Sequence, residues 1–310
     1  MPAKIKKTSP MVWKANLFAL LMMLPAVVIF FTFYLLPGIQ AFQISTYDWS
    51  GFNAETVKQI GLGNYKMLMK DEIFWRAFQN NLLIIIFGGI AVVALGLFFA
   101  NFLTRKTTRF KRFFRSMIFF PYSISIVAIG IIWTFVLNPT FGLLNGILEK
   151  MGVEAYGTAW LGSRGSAMAW IIFVTVWWWV GFFMILLIAG IQRIPEDYYE
   201  AARIDGVTEW QAFWKITIPL VKDILNIGIM YWIINGWMSF GVVYVMTQGG
   251  PSNMTHTLAT YMVWMSVDYV SSAFKMGYGT AIAVCILIIV VLFVVLYRRL
   301  TRRWSEAIEY

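Results

Sequence analysis

The sequence predicts an all-α integral membrane protein with six transmembrane helices, and three observations support this class. Of its 310 residues, 60% are hydrophobic and 13% are charged, about half the charged fraction of soluble proteins. The mean hydropathy is +0.70. The apolar residues form six runs separated by polar connections, and each run has the roughly 20 residues needed to cross the hydrocarbon core of a bilayer.

The six predicted spans follow a basic leader, residues 1–16. The first apolar run contains Pro25, is long and lacks a small-x-small cleavage site, so we interpret it as an uncleaved span rather than a signal peptide. The polar stretch 38–79 is rich in aromatic residues and is predicted to form a small structured loop. The predicted spans cover about 17–36, 81–103, 113–137, 167–191, 224–246 and 277–296, and a basic tail follows at 299–310.

Lys and Arg are distributed unevenly between the two sides of this predicted topology. Of the 25 Lys and Arg residues, 18 lie in the leader, the connections after the second and fourth spans, and the tail, and 7 lie in the other three connections. Excess Lys and Arg mark the cytoplasmic side of a membrane protein. Both termini and the segment 195–219 are therefore predicted to be cytoplasmic, and the net charge of +10 needs no nucleic acid to explain it.

The cytoplasmic segment 195–219 is predicted to form two short helices. Pro195 suits the first turn of a helix, and Gly206 suits the left-handed position that ends one. Thr208 then opens a second helix, with Gln211 placed to complete a capping box. This second helix is predicted to carry one apolar face and to be broken by a proline before the fifth span. The residues concerned are Trp210, Phe213, Trp214 and Pro219.

Several classes of function are disfavoured by what the sequence lacks. No charged residue lies centrally in a predicted span, whereas ion-coupled carriers commonly use intramembrane carboxylates or histidines. This argues against a stand-alone secondary transporter. The chain has no GxxxxGK[ST] loop to hold ATP phosphates. One cysteine, Cys285, and one histidine, His256, give no basis for a metal site or a catalytic cluster, which argues against a membrane-embedded enzyme.

The segment 195–219 also carries a recognisable motif. Glu200-Ala201-Ala202, then Gly206, Ile216 and Pro219, have the spacing of the EAA signature. The chain thereby resembles the membrane subunits of binding-protein-dependent ABC importers, with Ile218 in place of the usual leucine. Further stretches resemble the MalF-type permeases of carbohydrate importers, from the first span to the sixth. They are LPGIQAFQISTYDW with IGLGNY, TQGGPSNMTHTLATYMVW and FKMGYGTAIAV.

This resemblance implies the type I ABC importer permease fold, with a permease domain over 17–298 and a cytoplasmic coupling helix within 195–219. The coupling helix would dock into a cleft on an ATPase subunit. The residues implied in this contact are Glu200, Ala201, Ala202, Asp205, Gly206, Trp210, Phe213, Ile216 and Pro219. From the pattern alone, an amphipathic helix lying on the lipid surface is an equally good interpretation.

The resemblance also implies a substrate pathway lined by the third, fourth and fifth spans. Its implied residues are Tyr122, Trp178, Trp179, Phe182, Trp232, Asn235, Gly236 and Ser239. Aromatic faces suit the C–H surfaces of sugar rings, although the pattern alone favours an interfacial belt or helix packing for the run Trp177-Trp178-Trp179. Gly249, Gly250 and Pro251 are implied to contact an extracytoplasmic solute-binding protein.

The implied assembly places this chain in the bacterial cytoplasmic (inner) membrane as a non-catalytic subunit without a cofactor of its own. Its partners would be a second homologous permease, an ATPase dimer that binds Mg-ATP, the solute-binding protein and a carbohydrate. A sugar or an oligosaccharide is the expected substrate. A sugar phosphate or an acidic oligosaccharide stays open, because the second permease supplies half of the pathway.

Overall fold

The protein is built almost entirely from helices, which confirms the predicted fold class. The computed structural model describes residues 10–52, 57–105, 108–267 and 274–305. A short antiparallel pair, β1 (Tyr47–Asp48) and β2 (Lys58–Gln59), sets Tyr47 opposite Gln59. The helices are, in chain order, α1 (Pro10–Phe30), α2 (Leu36–Ile44), α3 (Gly63–Leu68), α4 (Glu72–Leu83), α5 (Gly89–Thr104), α6 (Lys111–Ser123), α7 (Ile126–Val136), α8 (Leu143–Lys150), α9 (Arg164–Ile191), α10 (Glu196–Ile204), α11 (Glu209–Ala212), α12 (Ile218–Trp237), α13 (Gly241–Thr247), α14 (Leu258–Val267) and α15 (Met276–Ser305).

Several of these helices are continuous with the next one through a π-helical turn. The turns are Phe31–Leu35 between α1 and α2, Ile84–Gly88 between α4 and α5, and Phe213–Thr217 between α11 and α12. Within the described ranges, five continuous helices are long and apolar enough to cross a membrane. They are Leu17–Ile44, Glu72–Thr104, Arg164–Ile191, Glu209–Trp237 and Met276–Thr301.

The third predicted span, 113–137, is a bent helix pair in the structure and not one straight helix. It is divided into α6 and α7, whose axes meet at 94°, and the chain is extended at Ile124. The carbonyl oxygen of Ile124 accepts a hydrogen bond from Trp178 Nε1 at 2.9 Å. The break is therefore stabilised by a side chain from another helix, because a buried carbonyl that leaves a helix needs a new donor.

The fifth predicted span, 224–246, also contains a break, because α12 ends at Trp237 and α13 begins at Gly241. The carbonyls released at this break are held by side chains from elsewhere in the chain. Asn81 Nδ2 donates to Gly236 O at 2.7 Å, and Thr257 Oγ1 donates to Ser239 O at 2.6 Å.

Pro219 does not break the helix that contains Trp210. Instead, Glu209–Trp237 is continuous, and the π-helical turn just before the proline is closed by a hydrogen bond from Ile218 N to Phe213 O. Pro219 follows this turn directly, in the first turn of α12. The wider turn thus accommodates a proline that would otherwise interrupt the helix.

Each of the other four predicted spans lies within a helix that is longer than the apolar run that predicted it. The second begins at Glu72, and the sixth continues to Ser305 through the described part of the basic tail. The expected loop 38–79 is shorter than predicted, because α2 runs to Ile44 and α4 begins at Glu72. Between them, β1, β2 and α3 form the small structured connection.

α9 occupies the middle of the molecule, where it contacts α5, α6, α7, α12 and α13. Glycines allow its closest approaches. A Cβ on Gly181 would lie 2.6 Å from Ile118 O, and one on Gly96 would lie 2.8 Å from Phe183 Cβ. The core therefore surrounds α9, and the two helix breaks at 124–125 and 238–240 lie on its flank.

Candidate functional site

A cavity of about 220 Å³ lies between the two helix breaks. It is bounded by α6, α7, α9, α12 and α13. The lining residues are Ile84, Tyr122, Ile126, Thr175, Trp178, Trp179, Tyr231, Trp232, Asn235, Gly236, Met238, Ser239, Phe240, Gly241 and Val242. No charged side chain is among them, so this wall offers aromatic faces, hydroxyl groups and one amide.

Aromatic rings form a connected cluster along one side of the cavity. Tyr122 contacts Trp178, Trp179 and Phe182, with ring centroids 4.7, 5.7 and 5.2 Å apart. Tyr231 contacts both Trp179 and Phe182, each at 5.5 Å. The cluster thus joins α6, α9 and α12 through ring contacts at the level of the helix breaks.

Two of the tryptophans are held in place by their indole nitrogens. Trp178 is fixed to the break in the third span by its bond to Ile124 O. Trp232 is buried and donates to Ile85 O at 2.9 Å. Its ring fills the space over Gly88 and Gly89, where added Cβ atoms would lie 2.7 and 2.8 Å from it. These contacts fix the rings in position before any ligand binds.

The segment 195–219 forms the helix pair that its capping residues predict. Gly206 has φ +73°, and Val207 N donates to Ala202 O at 2.9 Å across it, which closes α10 in the Schellman manner. Thr208 and Gln211 form the capping box at the start of α11. The two helices are therefore joined by a turn of defined geometry, and the predicted caps at Gly206 and Thr208 are confirmed.

The helix pair is attached to the bundle at several points. Tyr199 and Thr217 share a hydrogen bond of 2.9 Å between α10 and the π-helical turn. Burial raises the pKa of the Tyr199 hydroxyl, and the bond to Thr217 opposes this effect, so the group is protonated at neutral pH. Arg105, just after α5, pairs with Glu209 at 2.6 Å. A cavity of about 310 Å³ separates these attachments.

The outer surface of the helix pair combines apolar and acidic side chains. Phe213 is only 7% exposed, whereas Trp210 is 66% exposed, and their rings stack with centroids 5.9 Å apart. Trp214 and Ile204 are also exposed, beside the exposed carboxylates of Glu200 and Asp205. The second helix therefore packs on the bundle through Phe213 and presents its tryptophans outward.

Comparison with known proteins assigns the chain to a family. Residues 92–306 match the sequence profile of the binding-protein-dependent transport system inner membrane component. The chain belongs to this family.

Relatives within the family match over most of their length. The diacetylchitobiose uptake system permease protein NgcF of Streptomyces coelicolor is 34% identical over 286 residues, which cover 88% of this chain and 80% of NgcF. The trehalose/maltose transport system permease protein MalF of Thermococcus litoralis is 30% identical over 300 residues, which cover 95% and 97% of the two chains.

A solved structure shows the same fold. A chain of a bacterial ABC transporter involved in the import of the acidic polysaccharide alginate aligns with a TM-score of 0.74 and 20% sequence identity. The alignment covers 94% of this chain and 96% of that one. The ABC importer permease fold expected from the EAA signature is confirmed.

The residues expected to line a pathway in this family member lie together. Of the eight, Tyr122, Trp178, Trp179, Trp232, Asn235, Gly236 and Ser239 line the cavity, and Phe182 contacts Tyr122 beside it. Gly236 has a packing role, because an added Cβ would overlap the side chain of Ile85. Tyr231 was missed, although its position four residues before Asn235 places both on one helix face.

The residues expected to form the coupling contact are divided between the two sides of the helix pair. Ala202 and Phe213 are buried, while Ile216 and Pro219 are partly buried where the second helix enters the bundle. The exposed members are Glu200, Ala201, Asp205, Gly206 and Trp210. An ATPase contact would therefore use the exposed group, and the other four position it.

The expected binding-protein contact, Gly249, Gly250 and Pro251, is a tight turn after α13. Gly249 is buried with φ +85°, and an added Cβ would overlap the His256 ring. Thr255 Oγ1 donates to Gly250 O at 2.6 Å. The turn is thus fixed by residues 255–256, and Gly250 and Pro251 are its partly exposed members.

Two buried asparagines, Asn80 and Asn81, were not recognised from the sequence. Asn80 Nδ2 donates to Met254 O and His256 O, each at 2.8 Å. Asn81 bonds Gly236 O and, through Oδ1, accepts from Leu258 N at 2.8 Å. Two adjacent amides at the head of an apolar run were the available signal, since buried polar groups in membranes need partners.

Proposed function

We propose that this chain is a permease subunit of an ATP-driven importer that moves a sugar or an oligosaccharide across the cytoplasmic membrane. The observation that carries the proposal is the uncharged, aromatic cavity at the two helix breaks. Its rings offer flat apolar faces for the C–H surfaces of a pyranose. Asn235 and Ser239 offer polar groups that would meet hydroxyls.

The character of the cavity favours a neutral carbohydrate over a charged solute. A buried anion needs a paired cation or several donors, and the lining residues include no Lys or Arg. The names of NgcF and of MalF from Thermococcus litoralis refer to diacetylchitobiose and to trehalose or maltose, which supports the same class. An acidic carbohydrate would require its cations from the second permease.

The proposed assembly contains a second permease, two ATPase subunits that bind Mg-ATP, and an extracytoplasmic solute-binding protein. Closure of the ATPases would move the helix pair 195–219 and switch the pathway between inward-facing and outward-facing forms. The exposed Trp210, Ile204 and Glu200 would contact the ATPase, and the turn at Gly250 would face the binding protein. This chain would carry out no covalent chemistry.

Replacing Tyr231 tests the cavity assignment. Tyr231 is 42% exposed and lines the cavity, whereas Tyr244 is 43% exposed, stacks on Phe240 and lies outside the lining. The variants are expressed in cells from which the chromosomal gene has been deleted. Tyr231→Leu is expected to lower the uptake of labelled neutral oligosaccharides about tenfold relative to the wild-type chain, because the loss of about 1.4 kcal/mol of binding free energy corresponds to a factor of ten. Tyr244→Leu is the matched control and should leave uptake unchanged.

Two results would contradict the proposal. Equal uptake by the Tyr231 and Tyr244 variants would show that the cavity is not part of the substrate pathway. Uptake by the purified chain alone in vesicles, without an ATPase, would show that the chain is not a subunit of an ATP-driven importer. Purified complexes with the wild-type chain should instead hydrolyse ATP faster when the loaded binding protein is added.

A further inference from the structure

Helix α8, which lies between α7 and α9, is packed on the molecule by one flank. Leu144 and Leu148 are partly buried on this flank, and Asn145 is buried beside them. Asn145 Nδ2 donates to Pro139 O at 3.0 Å, and its Oδ1 accepts from Trp160 Nε1 at 2.5 Å. These contacts account for how α8 is held in place.

A second flank of α8 is apolar and uncovered. Leu143, Ile147 and Met151 are 63%, 47% and 73% exposed. They recur every four residues, so they form a single stripe along the helix. We call these three residues the α8 stripe.

Two charged residues also lie on the exposed surface of α8. Glu149 and Lys150 are both exposed. Because positions advance by about 100° per residue, Glu149 lies on the face opposite the α8 stripe, whereas Lys150 lies at the edge of the stripe, next to Leu143. The exposed surface of α8 therefore has an apolar face with a carboxylate opposite it, as in helices that lie at a membrane boundary. The long side chain of Lys150 can extend its ammonium group from the edge of the apolar face toward water.

The α8 stripe continues the apolar outer surface of α7. Ile131, Ile132 and Phe135 are exposed on α7, which belongs to the bent candidate span. The ring of Phe135 contacts that of Phe141, just before α8, with centroids 6.3 Å apart. An exposed apolar surface thus passes without interruption from a membrane-spanning element onto α8.

Tryptophans mark the same level of the molecule. Trp170 contacts Trp133 and Trp160, each at 5.9 Å, and Trp160 is the residue that bonds Asn145 of α8. Tryptophan is enriched where the hydrocarbon core meets the headgroups. α8 therefore lies at the end of the spanning region rather than in its middle or far from it.

We infer that α8 is an interfacial helix whose stripe inserts into the outer leaflet of the bilayer. The partner is the lipid surface itself, with Leu143, Ile147 and Met151 among the upper acyl chains and Glu149 and Lys150 in the aqueous headgroup region. This contact anchors the connection 138–163 beside the outer end of α9. It does not depend on which solute is transported.

Site-directed fluorescence tests this inference on the full-length chain. In a Cys285→Ser background, single cysteines at Ile147 and Met151 report on the stripe, and one at Glu149, on the opposite face of the same helix, is the matched control. Each is labelled with an environment-sensitive nitrobenzoxadiazole probe and reconstituted in phosphatidylcholine nanodiscs, with and without doxyl-labelled phosphatidylcholine. Iodide serves as the aqueous quencher.

The stripe probes are expected to emit at shorter wavelength and to be quenched severalfold more by doxyl lipid than the control probe at Glu149, which iodide should quench instead. Strong iodide quenching at Ile147 and Met151 would overturn the inference. So would probes shielded from both quenchers, which would indicate a contact with a second copy. Loss of the lipid quenching in the complete transporter would assign the stripe to a partner subunit and would also overturn it.

Discussion

At the scale of single residues, side chains of α4 hold backbone groups of distant elements at the end of α12 and around the start of α14. Asn81 is fully buried and satisfies carbonyls of Gly236 and Trp237 together with the amide of Leu258. It thereby fixes the end of α12 and the start of α14 to one turn of α4. Asn80 does the same for the loop that contains His256.

Removing the Asn81 amide should therefore destabilise the protein. Asn81→Leu keeps a side chain of similar volume but removes the acceptor of the buried Leu258 amide, and an unpaired buried group costs roughly 1 to 3 kcal/mol. We expect the midpoint of thermal unfolding in detergent to fall by several degrees. Tryptophan fluorescence during heating measures this midpoint.

The neighbouring Gln79 provides the control for that experiment. Gln79 is exposed, and its bond from Arg164 is long, at 3.5 Å, so Gln79→Leu should leave the midpoint nearly unchanged. Equal shifts for the two variants would show that Asn81 is not a specific link. A preserved midpoint in Asn81→Leu would lead to the same conclusion.

At the scale of elements, the helix pair α10 and α11 depends on one backbone conformation. Gly206 has φ +73° and open space where a Cβ would lie, so a substitution meets backbone strain but no clash. Gly206→Ala should cost about 1 to 2 kcal/mol, the penalty for an L-residue in the left-handed region. The turn that aims Trp210 would then open more often.

Hydrogen exchange measures this local effect. Amides of α10 are expected to exchange about tenfold faster in Gly206→Ala, because 1.4 kcal/mol corresponds to a factor of ten, and substrate-stimulated ATP hydrolysis should fall. Gly146→Ala in α8, another glycine with open space but without a positive φ, is the control and should show neither change. Unaltered exchange in α10 would refute the importance of this turn.

The caps of this helix pair could be predicted from the sequence because their partners are close along the chain. Thr208 and Gln211 bond each other across three positions, and Gly206 ends its own helix. The breaks at Ile124 and Ser239 could not be predicted, because their stabilising donors are Trp178 and Thr257. Such contacts exist only after the helices have packed. Pro219 was misjudged for a related reason, since a π-helical turn is not readable from residue propensities.

The cavity could be predicted only through resemblance to relatives. The pattern alone favoured packing or an interfacial belt for Trp178 and Trp179, and both rings do pack against neighbours. What the pattern could not contain is that α6 and α12 end beside them. Tyr231 escaped notice because its contacts with Trp179 and Phe182 depend on that same arrangement.

At the scale of the whole molecule, the uneven distribution of Lys and Arg predicts that the helix pair and the α8 region lie on opposite sides of the membrane. In a Cys285→Ser background, we expect a membrane-impermeant maleimide to label Glu154→Cys in intact cells. Asp197→Cys should be labelled only after the cells are permeabilised. Both positions are exposed carboxylates, so access rather than burial determines the result. Labelling of Asp197→Cys in intact cells would show that the helix pair lies outside the cell and that the proposed orientation is wrong.

The uninterrupted helix Glu209–Trp237 has a mechanical consequence. Its 29 residues form a rod about 43 Å long, and the rod crosses α9 closely near Ile224, where an added Cβ on Gly190 would lie 2.9 Å from that side chain. Trp210 lies about 21 Å along the rod on one side of the crossing, and Asn235 lies about 16 Å along it on the other. If the helix tilts about this crossing point, Trp210 and Asn235 move in opposite directions by comparable distances. A displacement of the helix pair would therefore reach the cavity without being amplified or greatly reduced.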